Sequence, residues 1–400
     1  MTALLRRLRG ASPDSGEALR VRARSPVGSG RLLPAACLTI LLATSACTRS
    51  DPTPAQPAEV RQETIDRLRA LAYTDVSDET AEPAKLGVVR LDPTRAYPGY
   101  NLFTNAHLCS TELTDLTGTV VHSWSYTPCD RWDNTVLLPQ GDLLVVGAIP
   151  ENDKSSRTPG DGTSAPGVSS ATDPEGKRYL MRLRWDGSVL WQKYMLAHHD
   201  AEPTPRGELV FLTFMRRHIA ERNPEDGMRD DYLAVASPNG DLIDQVSLYD
   251  LLNARPELFK FQPVTVTGEG SLLHANSVEW MHDENLARGS PLYSLSNVLV
   301  CIRHQDTIAI VNWDRRELVW AWGQGNLSGP HDATVLADGH ILVFDNGLGR
   351  NWSRAVEMDP LTRRIVWEYR AEPRESVYTR TRGSSQRLPN GNTLIAVSDT

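Results

Sequence analysis

Three things are scarce in this sequence, and each scarcity excludes a class of protein. Basic residues do not outnumber acidic ones: 42 Lys and Arg stand against 50 Asp and Glu, for a formal charge of −8. That balance argues against a nucleic-acid partner, which needs a basic surface to displace counterions, but leaves room for a local cationic pocket. Cysteine occurs five times, and no Cys/His spacing is typical of a structural zinc site. The apolar run at 32–46 is too short to cross a bilayer as a stable helix.

The N-terminal segment has the composition of a targeting signal. Residues 1–46 contain seven Arg and end in a mainly apolar stretch, which is typical of the h-region of a signal peptide. Small residues then precede Cys47, as in a bacterial lipobox, which is cut before the cysteine and lipidated on it. We therefore expect a periplasmic lipoprotein that a lipid anchor on Cys47 attaches to the membrane. Thr44 departs from the aliphatic residue usual at its place, so ordinary cleavage near Cys47 is the alternative.

Residues 47–96 predict a tether and a short helix in front of the main domain. The stretch 51–59 is rich in Pro and Ala, as linkers are, and 59–73 has apolar residues at helical spacing. The main domain is expected to run from 97 to 400.

Export makes a disulfide possible, because the periplasm is oxidising. If Cys47 is lipidated, Cys109 and Cys129 are the expected pair, and loop entropy gives such a bond about 3 kcal/mol. Cys301 lies in an apolar run and is expected to be a buried strand thiol.

From residue 97 onward the chain is built from a repeat. Four segments carry a turn of the type Leu-Pro-x-Gly-polar, or a close variant, before an apolar strand: 138–142, 204–208, 336–340 and 388–392. Glycine at that place suits the positive φ of a hairpin turn. A second pattern, a tight turn followed by Val, Leu or Ile and then Trp, ends at Trp124, Trp191, Trp320 and Trp367.

Units of about 50–75 residues, made of short strands and Gly turns, predict an all-β fold, and a β-propeller is favoured over a sandwich. The Trp strand is expected to be outermost in each blade and the strand before each Gly turn innermost. Counting strands leaves the first unit without an inner strand and the last with only two strands. We expect truncation at the C-terminus rather than an open ring, because an open sheet edge promotes aggregation.

Counting eight residues back from each turn glycine gives positions that share one register. They are Asp133, His199, His331 and Gly383, with His274 from a less regular copy that turns near residue 283. In a propeller this register lies where the innermost strand begins, beside the central channel. Three histidines there would converge on one point, which favours a functional site over three structural histidines.

Six stretches that contain His, Asn, Arg or Gly follow one another along this part of the chain: 197–201, 273–277, 302–305, 330–333, 344–347 and 383–392. Together they resemble the bacterial arylsulfate sulfotransferase family, which are six-bladed propeller enzymes of the periplasm. The resemblance spans about 97 to 400. The Gly turns alone would indicate only a propeller, whereas these motifs occur in order and in blade register.

The resemblance implies transfer of a sulfuryl group from a phenolic sulfate ester to a phenol, without the nucleotide donor PAPS. It implies His331 as the nucleophile that forms a sulfo-histidine. The other matching positions are His274, Asn276 and Arg303 around the sulfate, and His199 or its neighbour His198. Small aromatic sulfate esters and phenols would then be the partners, and no cofactor or metal is required.

Elementary chemistry agrees with these residue types. Sulfuryl transfer resembles phosphoryl transfer, in which charge lies on the peripheral oxygens, and a permanently charged Arg303 suits such oxygens. Neutral imidazole is a good nucleophile, and a covalent intermediate divides the transfer into two easier steps. His274 and His199 are candidates for the proton donor to the departing phenolate.

Other side chains have simpler interpretations. His198 is expected to point away from His199, because neighbouring residues of a strand face opposite sides, which favours a structural role. The remaining histidines at 218, 282, 304 and 340 are expected on the surface or in turns. Arg354 and Arg387 could add positive potential near the channel or pair with acidic neighbours.

Three other functions compete with aryl sulfotransfer. A non-catalytic periplasmic scaffold would have no need of three histidines in one register. A quinone-dependent dehydrogenase usually has more blades and a calcium site of carboxylates and Asn, and no such cluster is evident. A sulfatase differs only in the acceptor, which is water, so the sequence does not separate transfer from hydrolysis. The oligomeric state also stays open.

Overall fold

The computed structural model describes residues 87–150, 177–219, 223–263 and 271–398, with only the backbone described at 223–227. All of them belong to one compact unit of the chain. The predicted signal segment, Cys47 and the predicted helix at 59–73 lie outside the described residues, so these stay predictions. Within the described ranges, no helix is long and apolar enough to span a bilayer.

The described residues form 21 strands in six antiparallel sheets, which confirms the all-β prediction. The first sheet has three strands: β1 (Asn101–Asn105), β2 (Ser110–Thr114) and β3 (Val120–Ser125). The second has β4 (Arg131–Leu137), β5 (Leu143–Ala148), β6 (Arg178–Leu183) and β7 (Val189–Tyr194). The third has β8 (His198–Pro203), β9 (Leu209–Ile219), β10 (Asn223–Ala236) and β11 (Leu242–Ser247).

The remaining sheets continue in chain order. The fourth has β12 (Ala275–Trp280), β13 (Asn297–Ile302), β14 (Thr307–Asn312) and β15 (Glu317–Trp322). The fifth has β16 (His331–Val335), β17 (Ile341–Asp345), β18 (Arg354–Asp359) and β19 (Arg364–Arg370). The sixth is a hairpin of β20 (Ser384–Arg387) and β21 (Thr393–Ala396).

Two short α-helices interrupt the meander of strands. They are α1 (Leu248–Asn253), which follows β11, and α2 (Glu284–Gly289), which joins β12 to β13. Ser247 caps the first and Asp283 the second with side-chain oxygens. The chain reverses near residue 283, as predicted, but through a capped helix rather than a Gly turn. A 3-10 turn, Arg303–Gln305, follows β13.

The sheets are arranged around a centre as in a β-propeller, and the first strand of each sheet from the second to the sixth lies at that centre. The first sheet has three strands among the described residues, in agreement with the strand count, which left this unit without an inner strand. Along the chain, β4 packs against β8, β8 against β12, β12 against β16, and β16 against β20. The prediction of six blades is wrong for the described residues, which form five blades of three or four strands plus the β20–β21 hairpin. The number six was implied by the family resemblance, whereas the strand count gave the last unit only two strands, as observed.

The Gly turns form as predicted. In each, the turn glycine donates its N–H to the carbonyl three residues earlier, as Gly141 does to Leu138 at 2.9 Å. The four glycines have φ between 79° and 93°, a region in which a side chain is strained. These turns set the register of each inner hairpin and therefore fix where its first strand begins.

The predicted Trp strands are the outermost strands of their blades. Three of these indoles donate to a carbonyl in the turn of the next blade: Trp124 to Arg184 at 3.2 Å, Trp191 to Pro238 at 3.0 Å and Trp320 to Pro360 at 3.1 Å. The fourth, Trp367, lies under the Arg387 guanidinium, 4.5 Å from the ring centre. The outermost position of the Trp strands is therefore as predicted, and the indoles of Trp124, Trp191 and Trp320 also join neighbouring blades.

The disulfide between Cys109 and Cys129 is present, with a Cα–Cα distance of 6.2 Å. It ties the start of β2 to the segment that leads into β4, and so links the first blade to the second. Cys301 is a free, fully buried thiol on β13, as predicted.

Candidate active site

Hydrogen bonds between neighbouring blades show which residues share a register. Val278 N–H donates to Asp200 at 2.9 Å, Ala333 N–H to Ser277 at 3.2 Å, and Ser385 N–H to Asp332 at 3.2 Å. Asp200, Ser277 and Asp332 are therefore equivalent, and so are the residues before them: His199, Asn276 and His331. The predicted register is wrong in the fourth blade, where His274 lies two residues too early. The helix α2 removed the turn glycine from which that blade could have been counted.

The starts of the inner strands surround one cavity, called here the central cavity. It is lined by Arg131, Asp133, Arg178, His199, His274, Asn276, Ser277, Arg303, His331, Asp332, Thr381, Arg382 and Gly383. Five of the predicted site residues therefore meet: His331, His274, Arg303, His199 and Asn276. The prediction that His198 contacts a substrate finds no support, because His198 is fully buried behind His199 and does not line the cavity.

His331 begins β16 and is held through its Nδ1 atom. Nδ1 lies 2.7 Å from Asn346 Oδ1 and 3.1 Å from the Gly329 carbonyl. The Asn346 amide is itself oriented, since its Nδ2 donates to the carbonyls of Thr379 at 3.0 Å and Arg382 at 2.8 Å. Oδ1 must then be the atom that faces His331, so Nδ1 carries the ring proton.

The other nitrogen of His331 keeps its lone pair. Nε2 accepts the backbone N–H of Arg382 at 3.2 Å, at the wall of the central cavity. Burial, together with the nearby Arg303, lowers the pKa of His331 to about 3. The imidazole is therefore neutral at pH 7, which is the form that can act as a nucleophile.

His199 is held by a second histidine rather than by an amide. Its Nδ1 lies 2.7 Å from Nδ1 of His198, and Nε2 of His198 lies 3.2 Å from the Thr213 carbonyl. The prediction that the two rings point apart is wrong, because the backbone of His199 has φ of 56° and breaks the alternation of the strand. Burial lowers the pKa of both histidines well below the usual value, so both are neutral at pH 7.

His274 and its neighbours form the third side of the cavity. The His274 ring packs between the rings of His199 and His304, with centroid distances of 4.8 Å and 4.6 Å. His304 lies in the 3-10 turn, as predicted, yet it is half-buried, and burial lowers its pKa to about 4. Arg303, in the same turn, donates to the Arg380 carbonyl at 3.4 Å.

Asn276 offers an acceptor to the cavity. Its Nδ2 donates to the Pro330 carbonyl at 2.9 Å, which fixes the orientation of the amide. Its Oδ1 is buried and has no hydrogen-bond partner among the described residues. A buried acceptor of this kind is costly unless a ligand donates to it, and a hydroxyl group can do so.

Arginines that the sequence did not reveal give the cavity its charge. Arg131 and Arg178 come from the second blade, and Arg382 precedes β20. With Arg303 they make four guanidinium groups against two carboxylates, Asp133 and Asp332, so 4 − 2 leaves a surplus of two positive charges. Asp133 had appeared in the predicted register, but the arginines sit at no recurring position and left no signal.

The second-blade charges are buried together. Asp133 lies 3.0 Å from Arg131 and 2.8 Å from Arg178. Burial alone would raise the pKa of Asp133, but these two arginines outweigh it and hold that pKa well below its usual value. Burial also lowers the pKa of Arg178 to about 10, so it remains charged at pH 7. Arg354 and Arg387 lie elsewhere, paired with Asp345 and Glu357.

Comparison with known proteins places the chain in a family. The family described as Arylsulfotransferase (ASST) matches residues 180–400, and the chain belongs to it. No curated protein is significantly similar to the chain.

Solved structures that resemble the chain do so distantly. A protein of unknown function from Bacteroides caccae is 13% identical, with a TM-score of 0.40 over 69% of this chain and 79% of its own. A streptogramin B lyase is 9% identical, with a TM-score of 0.41 over 76% and 80%. The Swd1 β-propeller domain of Myceliophteria thermophila is 10% identical, with a TM-score of 0.39 over 69% of each chain. The family suggests aryl sulfotransferase activity on aryl sulfates and phenols.

Proposed function

We propose that the protein moves a sulfuryl group from a phenolic sulfate ester to a phenol through a sulfo-histidine on His331, without PAPS. The observation that carries this proposal is a neutral histidine whose Nδ1 is tied to Asn346 and whose Nε2 meets a cavity rich in arginine. A held tautomer makes one nitrogen the reactive atom, and the cationic walls suit an anionic ester.

The reaction takes place in two steps. In the first, Nε2 of His331 attacks sulfur, an N–S bond forms, and the ester S–O bond breaks with its electron pair on the departing phenolate. In the second, the oxygen of the acceptor phenol attacks sulfur, and the N–S electron pair returns to Nε2. The phenol loses its proton to a base during this second step.

The arginines act on the sulfuryl oxygens. The negative charge on these oxygens changes little between the ester and the intermediate, so it must be balanced throughout the reaction. Guanidinium groups that are already fixed in place balance this charge without having to reorganise. Arg303 also contributes to the depressed pKa of His331. The same residue therefore attracts the anion and keeps the nucleophile neutral.

Turnover of p-nitrophenyl sulfate by purified full-length protein tests the proposal. We expect nitrophenolate release that requires added phenol and falls by on the order of 10³-fold or more in His331→Ala. His218→Ala is the matched control, because His218 is exposed and is not among the residues that line the cavity.

Other outcomes would assign other functions. Release without phenol that needs His331 would mean a sulfatase, in which water accepts the group. No release from folded wild-type protein would favour the scaffold alternative. Phenol-dependent release that survives in His331→Ala would reject the sulfo-histidine.

We also propose that the chain is exported and attached to the membrane through a lipid on Cys47. The support is the charged and apolar pattern of 1–46 and the small residues before Cys47. Metabolic labelling with radioactive palmitate should mark the wild-type protein and not Cys47→Ser. Equal labelling of the two proteins, or none, would contradict the anchor.

A further inference from the structure

The fully buried His198 has no place in the two-step reaction, yet it makes the shortest contact of His199. Its Nε2 faces the Thr213 carbonyl at 3.2 Å, and a carbonyl oxygen can only accept. A neutral His198 must therefore carry its single ring proton on Nε2. The reverse tautomer would set two lone pairs against each other in a site that excludes water.

The tautomer of His198 determines the tautomer of His199. With Nε2 protonated, Nδ1 of His198 can only accept, and the group at 2.7 Å from it is Nδ1 of His199. The proton of His199 must then lie on its own Nδ1. Nε2 of His199, a residue that lines the central cavity, is left with a lone pair.

The Asp231 carboxylate is a second buried oxygen group near Nε2 of His198. Its Oδ1 lies 3.6 Å from Nε2 of His198, and its Oδ2 accepts the backbone N–H of Ala275 at 2.8 Å. Thr213, Asp231 and His198 are all buried, so the order of protons is set inside the protein rather than by solvent.

We propose that His198 is a positioning residue that holds His199 with its Nε2 unprotonated, so that His199 takes the proton of the acceptor phenol in the second step. The oxygen–sulfur bond forms as the phenolic O–H proton moves to Nε2 of His199, and the N–S electron pair returns to His331. Water later removes the proton from His199. This inference rests on the proposed function.

The loaded site favours this proton transfer. Burial and the arginines near His199 oppose its protonation, and Asp133 acts in the opposite direction. A sulfuryl group on His331 brings negative charge into the same cavity, and nearby negative charge raises the basicity of an imidazole. His199 becomes a better base only once there is a group to transfer.

Nitrogen NMR tests the tautomer without activity. The ¹⁵N shift separates a protonated ring nitrogen from an unprotonated one, and a His199→Gln spectrum identifies the His199 signals among ten histidines. We expect Nδ1 of His199 to be protonated in the wild-type protein. His198→Leu removes the acceptor, so His199 should also populate the tautomer with its proton on Nε2. His198→Asn keeps an acceptor at the position of Nδ1 and should keep the His199 proton on Nδ1. A wild-type His199 protonated on Nε2 would overturn the proposal.

Kinetics test the role. His198→Leu should lower turnover with phenol by about 10- to 100-fold, at or below the lower end of the contribution of general base catalysis, because His199 itself remains. The loss should shrink along a series of phenols of increasing acidity, because an ionised phenol has no proton to give. The first burst of nitrophenolate, which needs no base, should keep its rate, and His198→Asn should restore much of the turnover.

The two proposals fail in different ways. A loss in His198→Leu that is equal for all phenols, or a slower burst, would show that His198 serves only the structure. If the wild-type protein transfers no sulfuryl group, the proposed function fails, and the NMR spectrum still decides the tautomer.

Discussion

The inner and outer ends of the blades use charge in opposite ways. At the inner ends, Asp133 and its two arginines keep only 12–16% of their side chains exposed. At the outer edge, Lys193 pairs with Asp241 at 2.8 Å, and these side chains are 41% and 66% exposed. Buried ion pairs are poor sources of stability, because desolvation offsets their attraction. The inner charges are therefore better explained by the anion they can bind than by the fold they support.

Side-chain hydrogen bonds also serve different purposes at the centre and at the periphery. At the centre, the Asn346 side chain bonds to His331 and to the loop beside it, and so orients that histidine. At the periphery, three of the four Trp indoles make one bond each to the next blade, as Trp320 does to Pro360. Substitutions of Arg303 and Asn346 at the centre should mainly affect activity, and substitutions at the periphery should mainly affect stability. The variants below test this separation, and a shift to acid pH tests the stability that depends on neutral inner histidines.

The largest effect is expected from Arg303→Met. Removing a fixed cation from the sulfuryl oxygens should lower turnover by about 10²- to 10³-fold, as the loss of one preorganised donor does in other enzymes. Arg303→Lys should recover part of it, because a lysine keeps the charge but not the planar pair of donors. Arg206→Met, at an exposed Arg206–Asp314 pair, is the matched control and should leave turnover unchanged. A loss below about 3-fold in Arg303→Met would contradict the role.

Asn346→Ala should lower kcat by about 10- to 100-fold, the range seen when the partner that orients a functional histidine is lost. KM should change little, because Asn346 does not line the cavity. Asn239→Ala, in an exposed turn, serves as the control. Circular dichroism should confirm that Asn346→Ala is folded at the assay temperature. A rise in KM at constant kcat would place Asn346 in substrate binding instead.

Acid should destabilise the fold through the inner histidines. The folded pKa values of His331 and His304 are about 3 and about 4, below the ordinary 6.5. The unfolded chain therefore binds protons first, so this stability is complete above pH 6.5 and is lost as the pH falls toward 4. Each histidine removes up to about 1.4 kcal/mol per pH unit within that window. Urea unfolding at pH 7 and 5.5 measures the loss.

The variant His304→Gln measures how much of this loss of unfolding free energy comes from His304. His304→Gln does not titrate, so its unfolding free energy should fall less between pH 7 and 5.5, by about 1.4 kcal/mol. The exposed His218→Gln should keep the wild-type slope. Identical slopes for wild type and His304→Gln would show that His304 is not held neutral.

The smallest effects are expected at the outer edge. Trp320→Phe removes one indole hydrogen bond between blades and should cost about 1 kcal/mol of unfolding free energy. Lys193→Ala breaks an exposed ion pair and should cost less than about 1 kcal/mol. Neither variant should change turnover of p-nitrophenyl sulfate. A large loss of activity in either would break the separation between centre and edge.

Much of the site was visible in the sequence because histidine motifs recur at one place in a repeat. Counting from the turn glycines put His199 and His331 in one register, which the bonds between blades confirm. The same count failed for His274, because a helix replaces the turn in its blade. Asn276, chosen by resemblance, holds the register position instead. His198 was misjudged because the positive φ of His199 cannot be inferred from strand alternation.

The sequence revealed the local pattern of strands and turns, but it did not reveal which side chains from different blades meet at the centre. Strand alternation, Gly turns and outer Trp strands are properties of a few neighbouring residues, so the pattern of residues predicted the all-β repeat. The disulfide pair was predicted differently, by setting Cys47 aside for lipidation and Cys301 aside as a buried strand thiol. The number of blades and the meeting of Arg131, Arg178, Arg303 and Arg382 at one cavity depend on how the blades curve around the centre. So do the links from Asn346 to His331 and from His198 to His199, which rest on side-chain directions that only packing sets.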